Sequence, residues 1–280
     1  MQFDVDHPEI HAALRRALEE DIGPGDVTSH ATVPADQAAA GRFYARQPLV
    51  LAGIELLPLI YELRGGVDSL ELLAASGDAC QSGQCVARAR GRARTLLECE
   101  RVALNFLQRL SGVATLARRY VDAVAGTGVR ILDTRKTTPG LRRLEKMAAA
   151  AGGATNHRSG LWDAVLIKNN HITAAGGVRA ALERVRDVQV PVEIEVRTRA
   201  EFEEALACGA KRLLLDNLSP DEAAEWVGIA RAAGASTELS GGMTLDTVRA
   251  YAAAGPDFIS CGAITHSATA VDLNFRLEWE

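Results

Sequence analysis

Side chains suited to gripping an anion crowd the stretch from Arg135 to His171: Arg135, Lys136, His157, Arg158, Lys168 and His171. A guanidinium offers a rigid fork of donors that matches a carboxylate or phosphate bidentately, whereas Lys supplies a mobile point charge. Like charges gathered at one place repel, so an anionic ligand is the simplest reason to keep them there. Further along, Glu195 and Asp216 suit a sugar diol or a Mg²⁺ ion bound through its substrate. Ser240-Gly241-Gly242, opening onto a helix expected at Thr244, reads as a phosphate cradle, because backbone N–H groups point outward at a helix start. Gly262-Ala263, just after Cys261, would complete it.

Each feature has a plainer reading on its own. A single Lys168 is an ordinary surface residue, Ser-Gly-Gly is a common loop, and Arg101 in Glu98-Cys99-Glu100-Arg101 is a helix surface charge. Glu193 and Glu195 read equally as a solvated strand face, although Val192, Ile194 and Val196 alternate with them. The functional reading draws its weight from position. From Val129 onward, short β-rich runs recur: Arg130–Asp133, Ala164–Lys168, Val192–Val196, Arg212–Asp216, Thr237–Ser240 and Phe258–Cys261. They are spaced by roughly 20 to 35 residues, about one β-α unit each. Thr198 with Glu201, and Ser219 with Glu222 behind Pro220, are helix-start signatures. Gly209, Gly234 and Gly255 sit where helix ends need positive φ. Repeated β-α units predict a parallel sheet closed, or partly closed, into a barrel, where chemistry sits at the C-terminal strand ends. The candidate residues follow those ends, so the cations should share one mouth, with the carboxylates opposite.

The N-terminal part reads differently. Asp6 is the expected cap of a first helix carrying Ile10, Leu14 and Leu18, which Gly23-Pro24-Gly25-Asp26 ends. Residues 39–52 and 68–97 look strand-like, and Leu97 to Ala125 look helical, as two helices meeting near Ser111-Gly112. Ala270 to Glu280 alternates, as a strand returning to the N-terminal layer would.

Composition narrows the class. With 280 residues and a net charge of −5, the chain can bury a core and lacks the basic surplus that sequence-independent nucleic-acid binding needs. No apolar run approaches the ~20 residues of a membrane span, and Met1 to Ile10 lacks the apolar core of a leader, which points to the cytoplasm. Cys80, Cys85, Cys99, Cys208 and Cys261 are scattered and read as reduced thiols.

The joint pattern resembles the nicotinate-nucleotide pyrophosphorylase (carboxylating), or quinolinate phosphoribosyltransferase, family over nearly the whole chain. The carrying segments are Glu20–Thr28, Glu100–Asn105, Thr134–Arg142, Asn156-His157-Arg158, Asp163–Ile172, Leu215-Asp216-Asn217, Ser240-Gly241-Gly242 and Gly262–Ser267. Asn169 and Leu239 depart from the family's usual residues. The resemblance implies an N-terminal α/β sandwich (1–112, completed by 270–280) and an open, incomplete TIM-like α/β barrel (113–269), in a homodimer. It implies conversion of quinolinate and phosphoribosyl pyrophosphate to nicotinate mononucleotide, CO₂ and pyrophosphate, with Mg²⁺ and no organic cofactor. Arg135, His157, Arg158 and Lys168 would line the quinolinate pocket, with Arg101 reaching in from the partner subunit, and Thr134 and His171 would also bind substrate. Lys136 would serve the phosphate-rich substrate, and Glu195 and Asp216 the ribose and metal. Ser240, Gly241, Gly242, Cys261, Gly262 and Ala263 would take the 5′-phosphate. Lys136, Lys168, Glu195 and Asp216 are the catalytic candidates. Two alternatives stand beside this: a Schiff-base aldolase using Lys168, and a molybdate-transport-associated relative that binds another anion on the same fold.

Overall fold

The computed structural model describes residues 4–278; Met1–Phe3 and Trp279–Glu280, the outermost parts of the leader and returning-strand expectations, lie outside the described residues. In chain order, α1 (Pro8–Ile22) and α2 (Val27–Thr32) precede β1 (Ala38–Ala45), β2 (Leu49–Val50), α3 (Leu57–Glu62), β3 (Ser69–Leu72), β4 (Ala79–Cys80), β5 (Cys85–Arg92) and α4 (Ala93–Ala123). There follow β6 (Arg130–Leu132), α5 (Arg142–Ala151), β7 (Val165–Ile167), α6 (Asn169–Ala175), α7 (Val178–Arg184), β8 (Val192–Val196) and α8 (Arg199–Ala207). The chain ends with β9 (Arg212–Asp216), α9 (Pro220–Ala232), β10 (Ser236–Ser240), α10 (Val248–Ala253), β11 (Phe258–Ser260), α11 (Ala263–His266) and β12 (Leu273–Glu278). Two compact units result: 1–118 with 137–153 and 267–280, and 119–136 with 154–266. α4 runs unbroken through 112/113, the boundary read from the sequence.

The first unit holds an antiparallel sheet in the order β12-β1-β5-β3. The alternating C-terminal segment forms β12, with Phe43 opposite Phe275 and their rings 4.8 Å apart. The first helix is capped by His7, not Asp6: the His7 side chain accepts the Glu9 N–H, and Pro8 takes the first helical position. Strand-like character ends at Arg92, where α4 begins, earlier than Leu97.

Ser111-Gly112 does not divide α4, and tertiary packing explains both residues. The Ser111 hydroxyl accepts the Ala52 N–H at 2.9 Å, and one turn later Thr115 Oγ1 accepts the Val50 N–H at 2.9 Å. Gly112 lets the backbone at Thr269 approach so closely that a Cβ would overlap its carbonyl oxygen. A helix-breaking signal is here a close-packing device.

Segment 137–153 is tied into this unit by a buried carboxylate. Glu145, fully buried, accepts Arg109 Nε at 3.0 Å and Nη2 at 2.7 Å, the Thr138 N–H at 3.0 Å and the Thr138 hydroxyl at 2.7 Å. Arg109 Nη1 also donates to the Ala268 carbonyl at 2.6 Å. Removing one partner of such a network strands the other charge in a dry site.

The second unit holds six parallel strands in the order β6-β11-β10-β9-β8-β7. The free edge of β6 is bridged by Thr155, whose N–H donates to the Ile131 carbonyl while its carbonyl accepts the Asp133 N–H. No ladder joins that segment to β7 among the described residues, so the barrel is open there. The Thr198–Glu201 and Ser219–Glu222 capping boxes and the positive φ of Gly209, Gly234 and Gly255 are as expected. The helix expected at Thr244 is absent: Thr244 and Thr247 form a hydrogen-bonded turn, and α10 starts at Val248.

Arg109→Met should lower the stability read from a urea midpoint by about 3 kcal/mol, the low end for a broken buried pair because the Arg109 side chain is 27% exposed. An unchanged midpoint would show that Glu145 does not need its partner.

Candidate active site

Successive side chains of a strand point to opposite faces. Along β8 one parity carries Glu193, Glu195 and, just beyond, Arg197; the other carries Val192, Ile194 and Val196. The same parity rule picks out Leu166 and Lys168 at β7, Arg212, Leu214 and Asp216 on β9, Glu238 and Ser240 on β10, and Ser260 on β11. Of these residues, all but Glu193 and Arg212 line a cleft of about 580 Å³ at the C-terminal ends of the strands. Thr134, Arg135 and Lys136 after β6, and His157, Arg158, Leu161 and His171 from the following loops, complete its wall.

The cationic loops are held mostly by groups outside the cleft wall, with His171 the exception. Asp133, fully buried, accepts Asn156 Nδ2 at 2.7 Å and the His157 N–H at 2.7 Å. The Thr265 hydroxyl donates to the Lys136 carbonyl at 2.8 Å, and Gly262 lies against the Lys136 side chain. His171, in the first turn of α6, accepts the Lys168 N–H on Nδ1 at 2.9 Å. Arg158 donates to the Ala164 carbonyl at 3.1 Å. Burial, and then the neighbouring Arg135 charge, pull the Arg158 guanidinium below its ordinary range.

The carboxylates do not stand opposite the cations; the two interleave. Lys168 Nζ lies 3.7 Å from Glu195 Oε2, because β7 and β8 are neighbours. Arg197 bridges the acids, at 2.7 Å from Glu195 Oε1 and 3.5 Å from Asp216 Oδ2. Asp216 also accepts Asn217 Nδ2 at 2.8 Å, and Asn217 takes positive φ, which Asn tolerates better than most residues. Gly241, at φ 107°, packs so closely on Asn217 that a Cβ would overlap its amide.

His157 touches two buried acids, Glu193 at 3.3 Å and Glu238 at 3.5 Å, through Nε2. Burial alone would push the ring down, yet the hydrogen bonds to those carboxylates and their charges outweigh it and carry it up to about 9. On the other nitrogen the Arg158 N–H, donating to Nδ1 at 2.7 Å, acts the opposite way and favours the singly protonated Nε2–H ring. Among the described residues, His157, Glu193 and Glu238 form the one three-membered donor group with metal-like spacing; Glu195 and Asp216 are not part of it.

Of the residues expected from sequence, the cleft gathers Thr134, Arg135, Lys136, His157, Arg158, Lys168, His171, Glu195, Asp216 and Ser240. Gly241, Gly242, Cys261, Gly262 and Ala263 are not in its wall: Cys261 is buried, its N–H given to the Leu132 carbonyl, and Ala263 opens a helix of four residues. Arg101 is exposed on α4 in the first unit. Arg197, Glu238 and Ser260 went unread, although strict alternation along β8, β10 and β11 would have found all three. Asp133 and Thr265 gave no such signal, since their work is done through loops distant in sequence.

Residues 26–111 match the family described as quinolinate phosphoribosyl transferase, N-terminal domain, and 113–276 its C-terminal domain. A nicotinate-nucleotide pyrophosphorylase (carboxylating) of Mycobacterium leprae is 39% identical over 284 residues, covering 99% of this chain and 100% of that one. A probable enzyme of the same name from Bacillus subtilis is 37% identical, covering 96% and 94%. The structure of the nicotinate-nucleotide pyrophosphorylase from Francisella tularensis superposes with a TM-score of 0.91 at 33% identity, over 99% of each chain. With both halves matched and full-length relatives above a third identical, the chain belongs to the quinolinate phosphoribosyl transferase family.

Proposed function

We propose that this chain transfers the phosphoribosyl group of phosphoribosyl pyrophosphate to quinolinate, yielding nicotinate mononucleotide, CO₂ and pyrophosphate. The observation that carries this reading is one cleft in which Arg135, Lys136, Arg158 and Lys168 adjoin Glu195 and Asp216. A pyridine dicarboxylate answers the first set, and a ribose with its pyrophosphate answers both. The quinolinate nitrogen attacks ribose C1 as the bond to pyrophosphate breaks and the electron pair departs with the leaving group. Arg135, His157, Arg158 and Lys168 orient the dicarboxylate, so positioning and fixed charge do most of the work. Loss of CO₂ then leaves an electron pair at ring C2, which the cationic ring nitrogen stabilises until a proton replaces it.

Glu195 and Asp216 offer carboxylate oxygens, the donor type Mg²⁺ prefers alongside substrate phosphates. They fit that ion, with Arg197 as the resident cation on the same oxygens. When bound there, Mg²⁺ supplies charge neutralisation for the pyrophosphate. Lys136 serves the same anion, and the Ser240–Gly242 and Cys261–Ala263 loops serve the 5′-phosphate. Arg101 completes the pocket of a partner subunit in a homodimer. The five free thiols agree with a cytoplasmic setting, and no described helix is long and apolar enough to cross a membrane. The aldolase reading is weaker: a Schiff-base Lys is activated by desolvation or a neighbouring cation, whereas Lys168 is half exposed beside Glu195.

Carboxyl-labelled quinolinate should release CO₂ only with phosphoribosyl pyrophosphate and Mg²⁺ both present; no release at saturating substrate rejects the reading. Arg135→Ala and Lys168→Ala should each cut kcat/KM by about thirtyfold or more while melting normally, the loss expected for a stranded charge pair. Near-native turnover would remove that residue from the site. Arg101→Ala and Lys168→Ala subunits, each impaired alone, should regain activity when mixed; no recovery would count against the shared pocket.

A further inference from the structure

At the floor of the cleft, which His157 and Glu238 line, four charged groups close a ring. Arg212 Nε donates to Glu193 Oε1 at 3.0 Å, and Arg212 Nη2 donates to Glu238 Oε2 at 3.2 Å. His157 Nε2 closes the circuit at 3.3 Å from Glu193 and 3.5 Å from Glu238. The members come from β8, β9, β10 and the loop after Thr155, and the two carboxylates are 5% and 1% exposed. Arg212 is itself fixed over the Phe258 ring, 4.7 Å from its centroid, with Arg130 at 4.4 Å from the same ring.

Stability alone does not account for this arrangement. Taking two carboxylates out of water is expensive, and apolar residues of similar volume would fill the space at no loss. Nor is a metal needed to explain these two acids, because Arg212 and His157 already pair with both carboxylates. What the ring does achieve is geometric. Asp133 fixes the His157 backbone, and two carboxylates fix the ring tip, so the imidazole is held at both ends. Unneutralised, the same carboxylates would present an anionic floor to an anionic ligand.

We infer that Glu193, Arg212 and Glu238 are positioning residues that act on the substrate through His157, holding its ring for the dicarboxylate side of the cleft. The inference rests on the quinolinate reading for the role of His157 itself.

A double-mutant cycle tests it, because residues acting through one another give non-additive losses. Glu238→Gln and Glu193→Gln should each raise KM for quinolinate about tenfold or more, the worth of a charged hydrogen bond, with KM for phosphoribosyl pyrophosphate unchanged. In a His157→Asn background the same changes should cost little. Additive losses, or equal effects on both KM values, overturn the inference and leave the proposed reaction standing. A second readout needs no turnover: ¹⁵N-labelled imidazole should show a protected Nε2–H signal for His157 that is lost in Glu238→Gln or Glu193→Gln. A signal unchanged in whichever of the two variants folds overturns the inference as well. If the wild-type protein releases no CO₂, the proposed function fails, and this spectrum still decides how the ring is held.

Discussion

Parallel strands inside a β-α unit must bury both faces, and this barrel buries them asymmetrically. The outward parity is apolar, with Ile194, Leu213, Leu215, Leu239 and Ile259 beneath the helices. The inward parity is mostly ionised or polar, with Glu193, Glu195, Arg212, Asp216, Glu238 and Ser260 beside Leu166 and Leu214. Buried charge is tolerable only when paired and hydrogen-bonded. That requirement organises the centre of the unit, from the Arg212 ring at the base to the Arg197 bridge at the mouth.

The same constraint explains how the site is layered. Arg135, Lys136, His157 and Arg158, which meet the ligand in the proposed reaction, stand on loops, which are mobile unless tied down. Each loop is tied by a polar group: buried Asp133 holds Asn156 and His157, buried Thr265 holds Lys136, and His171, at the surface, holds Lys168. In the first unit Glu145 plays the equivalent part for segment 137–153. Arg135 and Arg158 are neighbours in this arrangement, and burial together with the Arg135 charge lowers the Arg158 guanidinium from its ordinary range.

Much of this was readable in the chain because the signals are local. Strand runs, capping boxes and helix-ending glycines each depend on a few neighbouring residues, and β6 to β11 fall where alternation and spacing place them. Two of the misreadings share one cause. Ser111-Gly112 looks like a helix break, yet it is where α4 accepts close neighbours. Ser240-Gly241-Gly242 looks like a helix start, yet a turn intervenes. Gly and Ser are chosen for small size or hydrogen bonding at long range as often as for local conformation.

The sequence by itself determined which residue types were available to bind an anion, the order of the β-α units that present them, and, through its motifs, the family. Only the tertiary structure decided which charges meet. Glu195 lies against Lys168 and Arg197, and Glu193 and Glu238 share Arg212 and His157, because β7, β8, β9 and β10 are neighbours in a staggered parallel register. Strand order and register are set by burial over the whole unit, and they carry pairings between residues that nothing local connects.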